Sequence, residues 1–290
     1  EEYNVKRRNS MSSLSRSKAD YYDSAVLSTP ALEELTEVWN YRNLIYQLTR
    51  RDILTRYKRS VLGIGWTMLN PLGMMLVLTI AFSGIFRFET EYSYPAYVLS
   101  GLLIWNFFSQ TSTAAMVNLI WGGGLLHRIY VPRTSFALAA ILTGVVNVLI
   151  SLIPLLLVML LTGVPVRATL LFFPILLLLL ACFALGIGLL ISTFAVYFPD
   201  VAEMYQIGML GWMYLTPVIY PENILPESYR FWITHLNPMY YMVNLFRLSV
   251  YYGQMPTWGE LLPAVVVALA TLLIGWIVFT RRSSEFSYRI

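Results

Sequence analysis

The chain has 290 residues, of which 57% are hydrophobic and only 12% charged, with a formal net charge of +4. Soluble domains carry roughly 25% charged residues, so this composition excludes an ordinary water-soluble globule and points to lipid as the solvent. The apolar residues are gathered into long blocks, the length an α-helix needs to cross about 30 Å of hydrocarbon.

Residues 1–40 are polar and charged, with Ser10, Ser12, Ser13, Ser15 and Ser17 in a low-complexity stretch and no signal-peptide pattern. They predict a mobile cytoplasmic tail. Asn43 to Ser60 holds good helix formers and neither Pro nor Gly, which predicts an amphipathic interface helix over 41–60. Tyr41, Leu44, Ile45 and Leu48 share one face, whereas Tyr46, Ile53 and Tyr57 fall on another. One face suits the membrane surface and the other a protein partner. Arg50, Arg51, Arg56, Lys58 and Arg59 crowd the second half. Two readings stand for them: fixing topology and holding anionic headgroups, or, for Arg56, Lys58 and Arg59, meeting a phosphate-bearing substrate.

Six apolar blocks follow, at about 62–86, 95–118, 134–163, 168–196, 203–220 and 258–280. They predict an all-α integral membrane protein with a six-span domain over 61–280 and a short tail over 281–290. The third and fourth blocks are separated only by Thr162 to Arg167, which requires a tight helical hairpin. The segment 233–253 is also fairly apolar, but its apolar part after Pro238 is short and carries Asn244 and Arg247, so it reads as re-entrant or interfacial. With the N-terminus inside, sixteen of the 20 Lys and Arg lie on cytoplasmic segments, leaving Arg87, Arg167, Arg230 and Arg247 outside. The positive-inside bias therefore predicts both termini in the cytoplasm.

The first four blocks hold no Asp, Glu, His, Lys or Arg, and Glu203 and Glu260 lie at the edges of the fifth and sixth, which argues against proton coupling. His127 and His235 fall on opposite sides of the predicted membrane, so a convergent acid-base site is not expected, and no selectivity-filter segment marks a pore. Cys182 sits alone in an apolar block. Lys6, Lys18 and Lys58 are the only lysines and none follows a glycine, so the chain has no phosphate-cradling P-loop. Uphill transport would need an ATPase on another polypeptide. No cofactor is expected in this chain, and no nucleic-acid partner.

Aromatic rings suit the apolar faces of sugars. Trp105, Phe107, Phe108, Trp212 and Tyr214 lie inside the blocks, and Tyr240 and Tyr241 in the re-entrant segment; the choice for each is packing or a substrate path with an exit gate. Gly122, Gly123 and Gly124 make a flexible break before Leu125, Leu126, His127 and Arg128, where either an ordinary loop or a projecting element fits.

The run RDILTRYKRSVLGIGWTMLNPL from Arg51 to Leu72 resembles the signature of type-2 ABC export permeases for lipid-linked polysaccharides, the O-antigen and teichoic acid exporters. LLHRIYVPR at 125–133, YFPDVAEM at 197–204, LTPVIYP at 215–221 and LNPMYYMVNLFR at 236–247 extend the resemblance over most of the chain beyond residue 40. It implies two copies of a six-span permease, two cytoplasmic ATPase subunits binding ATP and Mg, and a polyprenyl-diphosphate-linked glycan moved across the bacterial inner membrane. It also implies that Leu62 and Gly63 belong to a loop gating entry near the diphosphate. By the same resemblance Gly122 to Arg133, including Leu125, Leu126, His127 and Arg128, hold a coupling helix seated on the ATPase. A type-2 exporter of drugs or simple lipids is the nearest alternative, and a membrane-embedded enzyme of lipid-linked sugar assembly the alternative of another class.

Overall fold

Helices account for all the regular structure in a computed structural model that describes residues 30–58, 60–82, 90–121 and 131–288; no strand occurs among them. The order is α1 (Pro30–Asn40), α2 (Arg42–Tyr57), α3 (Gly65–Ala81), α4 (Tyr94–Trp121), α5 (Thr134–Leu161), α6 (Phe173–Tyr197), α7 (Val201–Leu215), α8 (Glu227–Phe231), α9 (Pro238–Phe246) and α10 (Trp258–Arg282). Each of the six apolar blocks contains one helix. Three are long and apolar enough to cross a membrane by length and composition: α5, α6 with its lead-in from Ala168, and α10. Helix α4 has 28 residues, but its serines, threonines and amides make it more polar. Helices α3 and α7, of 17 and 15 residues, are about 26 and 23 Å long at 1.5 Å per residue.

The core is built around α4, which packs α5 on one side and α6 on the other, while α6 packs α10. Small residues set these distances, because without a hydrophobic drive between helices in lipid, close backbone approach supplies the attraction. A Cβ on Gly144 of α5 would lie 2.1 Å from Thr111 Cγ2 of α4. At the α6–α10 crossing the backbones themselves touch: a Cβ on Gly186 would meet the Thr271 carbonyl at 2.4 Å, and one on Gly275 the Gly186 oxygen at 2.2 Å.

Helix α2 lays Ile45 and Leu48 against Val131, Phe136 and Ala139 at the start of α5, a small second core. The tail expected over 1–40 ends earlier than the sequence suggests, since Pro30–Asn40 is helical. The Glu34 carboxylate accepts from Thr134 Oγ1 at 2.8 Å and from the Thr134 amide at 3.4 Å. This places a negative charge at an α5 N-terminus whose own first turn has none, where the helix dipole favours it. Residues 1–29 lie outside the described residues.

The segment 233–253 forms a π turn (Trp232–Leu236), a break at Asn237, and α9 continuing through a second π turn to Tyr251. From Pro238 to Tyr251 this is about 21 Å, with Met239, Met242, Val243, Leu245, Phe246 and Tyr251 buried against the bundle. Asn237 caps α9 by accepting from the Met239 amide, accepts from Trp212 Nε1 at 2.8 Å, and donates to Thr216 Oγ1 at 2.8 Å. One amide thus ties the end of α7 to the start of α9.

Arg247 is 4% exposed, and its guanidinium is bound by carbonyls and a hydroxyl. Its Nη1 donates to the Tyr97 hydroxyl at 2.7 Å and the Pro217 carbonyl at 2.5 Å, and its Nη2 to the Val218 carbonyl at 2.6 Å. The guanidinium lies 3.6 Å from the centre of the Tyr97 ring. Gly101 makes the room, since a Cβ there would sit 2.5 Å from Nη2.

Replacing Gly186 or Gly275 by Leu should destabilise the purified protein by at least about 1–3 kcal/mol, because backbone faces each at the crossing. Gly208→Ala and Gly211→Ala, which meet nothing within 4 Å, should leave the thermal unfolding temperature unchanged. Equal effects at both pairs of positions would refute this account of the crossing.

Candidate functional site: a polar groove within the bundle

Between α2, α3, α4 and α5 lies a cavity of about 380 Å³ lined by Arg56, Trp66, Asn70, Asn106, Phe107, Gln110 and Asn147 among others. A second space of about 410 Å³ shares Arg56, Gln110, Thr111, Gly144 and Asn147 with it and reaches Arg51, Asp52 and Asn118. The two form one groove. Helix periodicity explains the convergence: Asn106 and Gln110 are four residues apart on α4, as are Thr143, Asn147 and Ser151 on α5, so each set shares a face.

Proline chemistry holds the α3 wall. Pro71 lies inside α3 and has no N–H, so the Thr67 carbonyl, four residues earlier, loses its helical donor. Ser151 Oγ of α5 donates to that carbonyl at 3.2 Å. The kink-prone turn is thereby fastened to α5 at the groove. At the other end Asp52 accepts from Asn118 Nδ2 at 3.4 Å and pairs with Arg51 at 2.8 Å, fastening α2 to α4. Ser112 of α4 accepts from the Tyr205 hydroxyl at 2.7 Å, which joins α7.

Asn70, Asn106 and Gln110 line this space and make no hydrogen bond among the described residues. Amides inside apolar helices are costly unless partnered, so a ligand or water with hydroxyl or phosphate groups is the matching content. Arg56 is the one cation at the first cavity's wall. No sequence expectation named these amides. Their signal was available as Asn and Gln interrupting apolar blocks, but a search for ionisable groups passes over uncharged ones.

The structure divides the sequence-predicted site residues among several places. Arg56 and Phe107 are at the groove, with Trp66. Lys58, Leu62 and Gly63 are in the link between α2 and α3, where Gly63 takes a left-handed φ of 49° and its amide donates to Ser60 Oγ. Arg59 lies outside the described residues. Trp105, Phe108 and Trp212 come together with Phe183, but as a packed cluster with edge-on rings 5.2 to 6.3 Å apart around Trp212, Trp105 and Phe108, all interior to the bundle. Tyr214 is exposed on α7.

Tyr240 and Tyr241 belong to a different cleft, of about 710 Å³, with Glu222, Arg230, His235 and Glu260. Tyr240 donates to Glu222 at 2.5 Å, and Glu222 pairs with Arg230 at 3.1 Å. Burial first, and the Glu222 acceptor second, hold the Tyr240 hydroxyl above the ordinary tyrosine range, so it remains a donor. Of the expected coupling segment, Gly122, Leu125, Leu126, His127 and Arg128 lie outside the described residues. Arg133 is placed, its guanidinium 5.3 Å over the ring of buried Phe286.

Apolar helices around a polar groove make this a multi-pass membrane transport protein. The chain belongs to the ABC-2 type transporter family, whose pattern matches residues 43–251. It is 28% identical over 256 residues to the O-antigen export system permease protein RfbA of Myxococcus xanthus, covering 88% of this chain and 98% of that protein. It is 22% identical to a protein of the same name from Klebsiella pneumoniae (84% and 94% covered). The polysialic acid transport protein KpsM of Escherichia coli is 26% identical (80% and 90% covered). These relatives are transport permeases, not enzymes.

The Ser151–Thr67 contact gives a double-mutant test. Ser151→Ala should cost about 1–2 kcal/mol by removing a donor from the Thr67 carbonyl. Pro71→Ala restores the helical N–H, so adding it to Ser151→Ala should recover most of the loss in thermal unfolding. Additive losses would remove the assigned role of Ser151.

Proposed function

We propose that this chain is the membrane subunit of an exporter that moves a polyprenyl-diphosphate-linked polysaccharide, of the O-antigen, capsule or teichoic acid kind, across the bacterial cytoplasmic membrane. In this reading all six apolar helices cross, both termini are cytoplasmic, and two copies work with two separate ATPase subunits that bind ATP and Mg. The printed functions of the relatives support it, as does the cytoplasmic bias of Lys and Arg.

The observation that carries the reading is the amide-lined polar groove with Arg56 at its wall. A guanidinium offers bidentate contact to a diphosphate, and the amides of Asn70, Asn106 and Gln110 offer hydrogen bonds to sugar hydroxyls. Each neutral contact is worth only about 0.5–1.5 kcal/mol net, weak enough for a chain to leave one position and take the next. A groove lined by fixed charges would hold a polymer too tightly to pass it on. Tyr240, Tyr241 and the Glu222–Arg230 pair would meet the glycan on the far side.

The permease, purified with its ATPase partner and reconstituted into vesicles, should move lipid-linked polysaccharide only when ATP is supplied. Arg56→Gln should lower that export by roughly tenfold or more, the loss of one charge-assisted contact, while the complex still assembles. Export independent of ATP would refute the exporter reading, and unchanged export in Arg56→Gln would remove the phosphate role from Arg56.

A further inference from the structure

On the opposite flank of α2 from the polar groove, α2 and α5 enclose a space of about 600 Å³ with almost wholly apolar walls. Trp39, Ile45, Tyr46, Leu138 and Leu142 are among its lining residues; among the described residues Arg42 and Arg50 are its only charged ones and no carboxylate lines it. Arg50 has no side-chain partner among the described residues, and Arg42 is folded back on Trp39, donating to its carbonyl at 3.3 Å and lying 5.5 Å over its ring. The two arginines are two turns apart on the same side of α2, about 12 Å along its axis.

The apolar wall does not stop at the groove. Leu142 continues on α5 into the exposed Leu149, Ile153 and Leu157, spaced at intervals of seven, four and four residues, hence one stripe. From Leu142 to Ile153 the stripe runs about 16 Å, half of a 30 Å hydrocarbon core and so the depth of one leaflet. Exposed Trp39 and Tyr46 at the mouth suit the headgroup level. An acyl-length apolar track, an aromatic rim and two cations without an anion match a single class of molecule.

We propose that the α2–α5 groove is a binding site for one anionic glycerophospholipid, its phosphate between Arg42 and Arg50 and one acyl chain along Leu142, Leu149 and Ile153. The site anchors α2 against α5 from the side away from the polar groove, so the lipid would act as a wedge that fixes the wall carrying Arg56. This inference rests on the membrane placement of the chain and not on the glycan reading.

The test uses the permease in complex with its ATPase, in nanodiscs of equal phosphatidylglycerol and phosphatidylcholine, without ATP or glycan. Lipids retained after mild detergent release are counted by native mass spectrometry. Phosphatidylglycerol should be retained over phosphatidylcholine, and R42Q and R50Q should each reduce that preference roughly fivefold. L142W, which fills the groove without touching charge, should lower retention of both lipids. Equal retention by the unaltered complex, or an unchanged preference in the R42Q/R50Q double variant, overturns the proposal. So does displacement of phosphatidylglycerol by added polyprenyl phosphate at equal concentration, which would give the site to the transported lipid. Cross-linking between two copies through L142C would give it to a second chain and equally overturn the proposal. Because neither ATP nor glycan is present, any of these failures leaves the export assay above to stand or fall by itself.

Discussion

The clamp formed by Arg247 fixes the part of the fold that the rest is assembled around. Past α7 the chain turns through Thr216, Pro217, Val218 and Ile219 in non-helical conformation, deep against α4, with the carbonyls of Pro217 and Val218 pointing inward. A helix would have supplied donors to those carbonyls; here none comes from the backbone, and unsatisfied carbonyls in a low-dielectric interior cost several kcal/mol. Arg247, thirty residues further on, supplies both donors at once and rests its plane on Tyr97 of α4. Arginine suits the task because its fork is planar and its charge permanent. Glycine at 101 follows from the clamp, since any Cβ there would strike the guanidinium. The turn after α7, the α9 segment and α4 are thus placed by one side chain.

The same rule of polar satisfaction orders the remaining helices and then reveals where it is relaxed. Ser151 answers for the donor that Pro71 lacks, and Asn237 answers for Trp212, Thr216 and its own helix start. Thr49, Thr111, Ser112, Thr143, Ser192 and Thr193 return their hydroxyls to the carbonyl four residues back, which lets them sit inside apolar helices at little cost. Against this background the amides of Asn70, Asn106 and Gln110 stand apart, because they line an open space with no partner among the described residues. Ser135 Oγ, Ser249 Oγ and Arg247 Nε are buried without a partner among the described residues, but the three amides differ from them in facing a cavity wide enough for a polar ligand.

Much of this was legible in the sequence, for identifiable reasons. Apolar runs mark helices well, so α4, α5, α6 with its lead-in, and α10 lie close to the blocks that contain them, while α7 stops at Leu215; the end of the first block lies outside the described residues. Chain segments whose structure depends on a distant partner were not legible. Pro30–Asn40 reads as solvated tail because it is polar, yet Glu34 reaches the N-terminus of α5, a hundred residues away. Arg247 counts as one more outer charge in a tally of Lys and Arg, which treats every cation as solvated, whereas it is buried on carbonyls. For Trp105, Phe108 and Trp212 the sequence leaves packing or a substrate path open, because Trp212 lies on a different helix from the other two; the packing of α4, α6 and α7 brings them against one another. The amides escaped because a search for function inside membranes begins with charge. Arg56, by contrast, is named by the sequence for either headgroup or phosphate contact, and it lies at the groove wall.

The charged groups of the groove, Arg51, Asp52 and Arg56, all come from α2, whereas α3, α4 and α5 contribute amides, hydroxyls and apolar side chains. At the end where the sequence resembles a coupling segment, Arg133 stacks on Phe286. Phe286 is buried between Phe279 of α10 and Tyr197 of α6, and the Tyr197 hydroxyl donates to Glu285, which also pairs with Arg282. The base of that segment is therefore joined to the ends of α6 and α10, the two helices whose backbones touch at Gly186 and Gly275. Arg133 is thereby tied to both of these helices rather than to one, and α6 packs in turn on α4, which carries one wall of the polar groove.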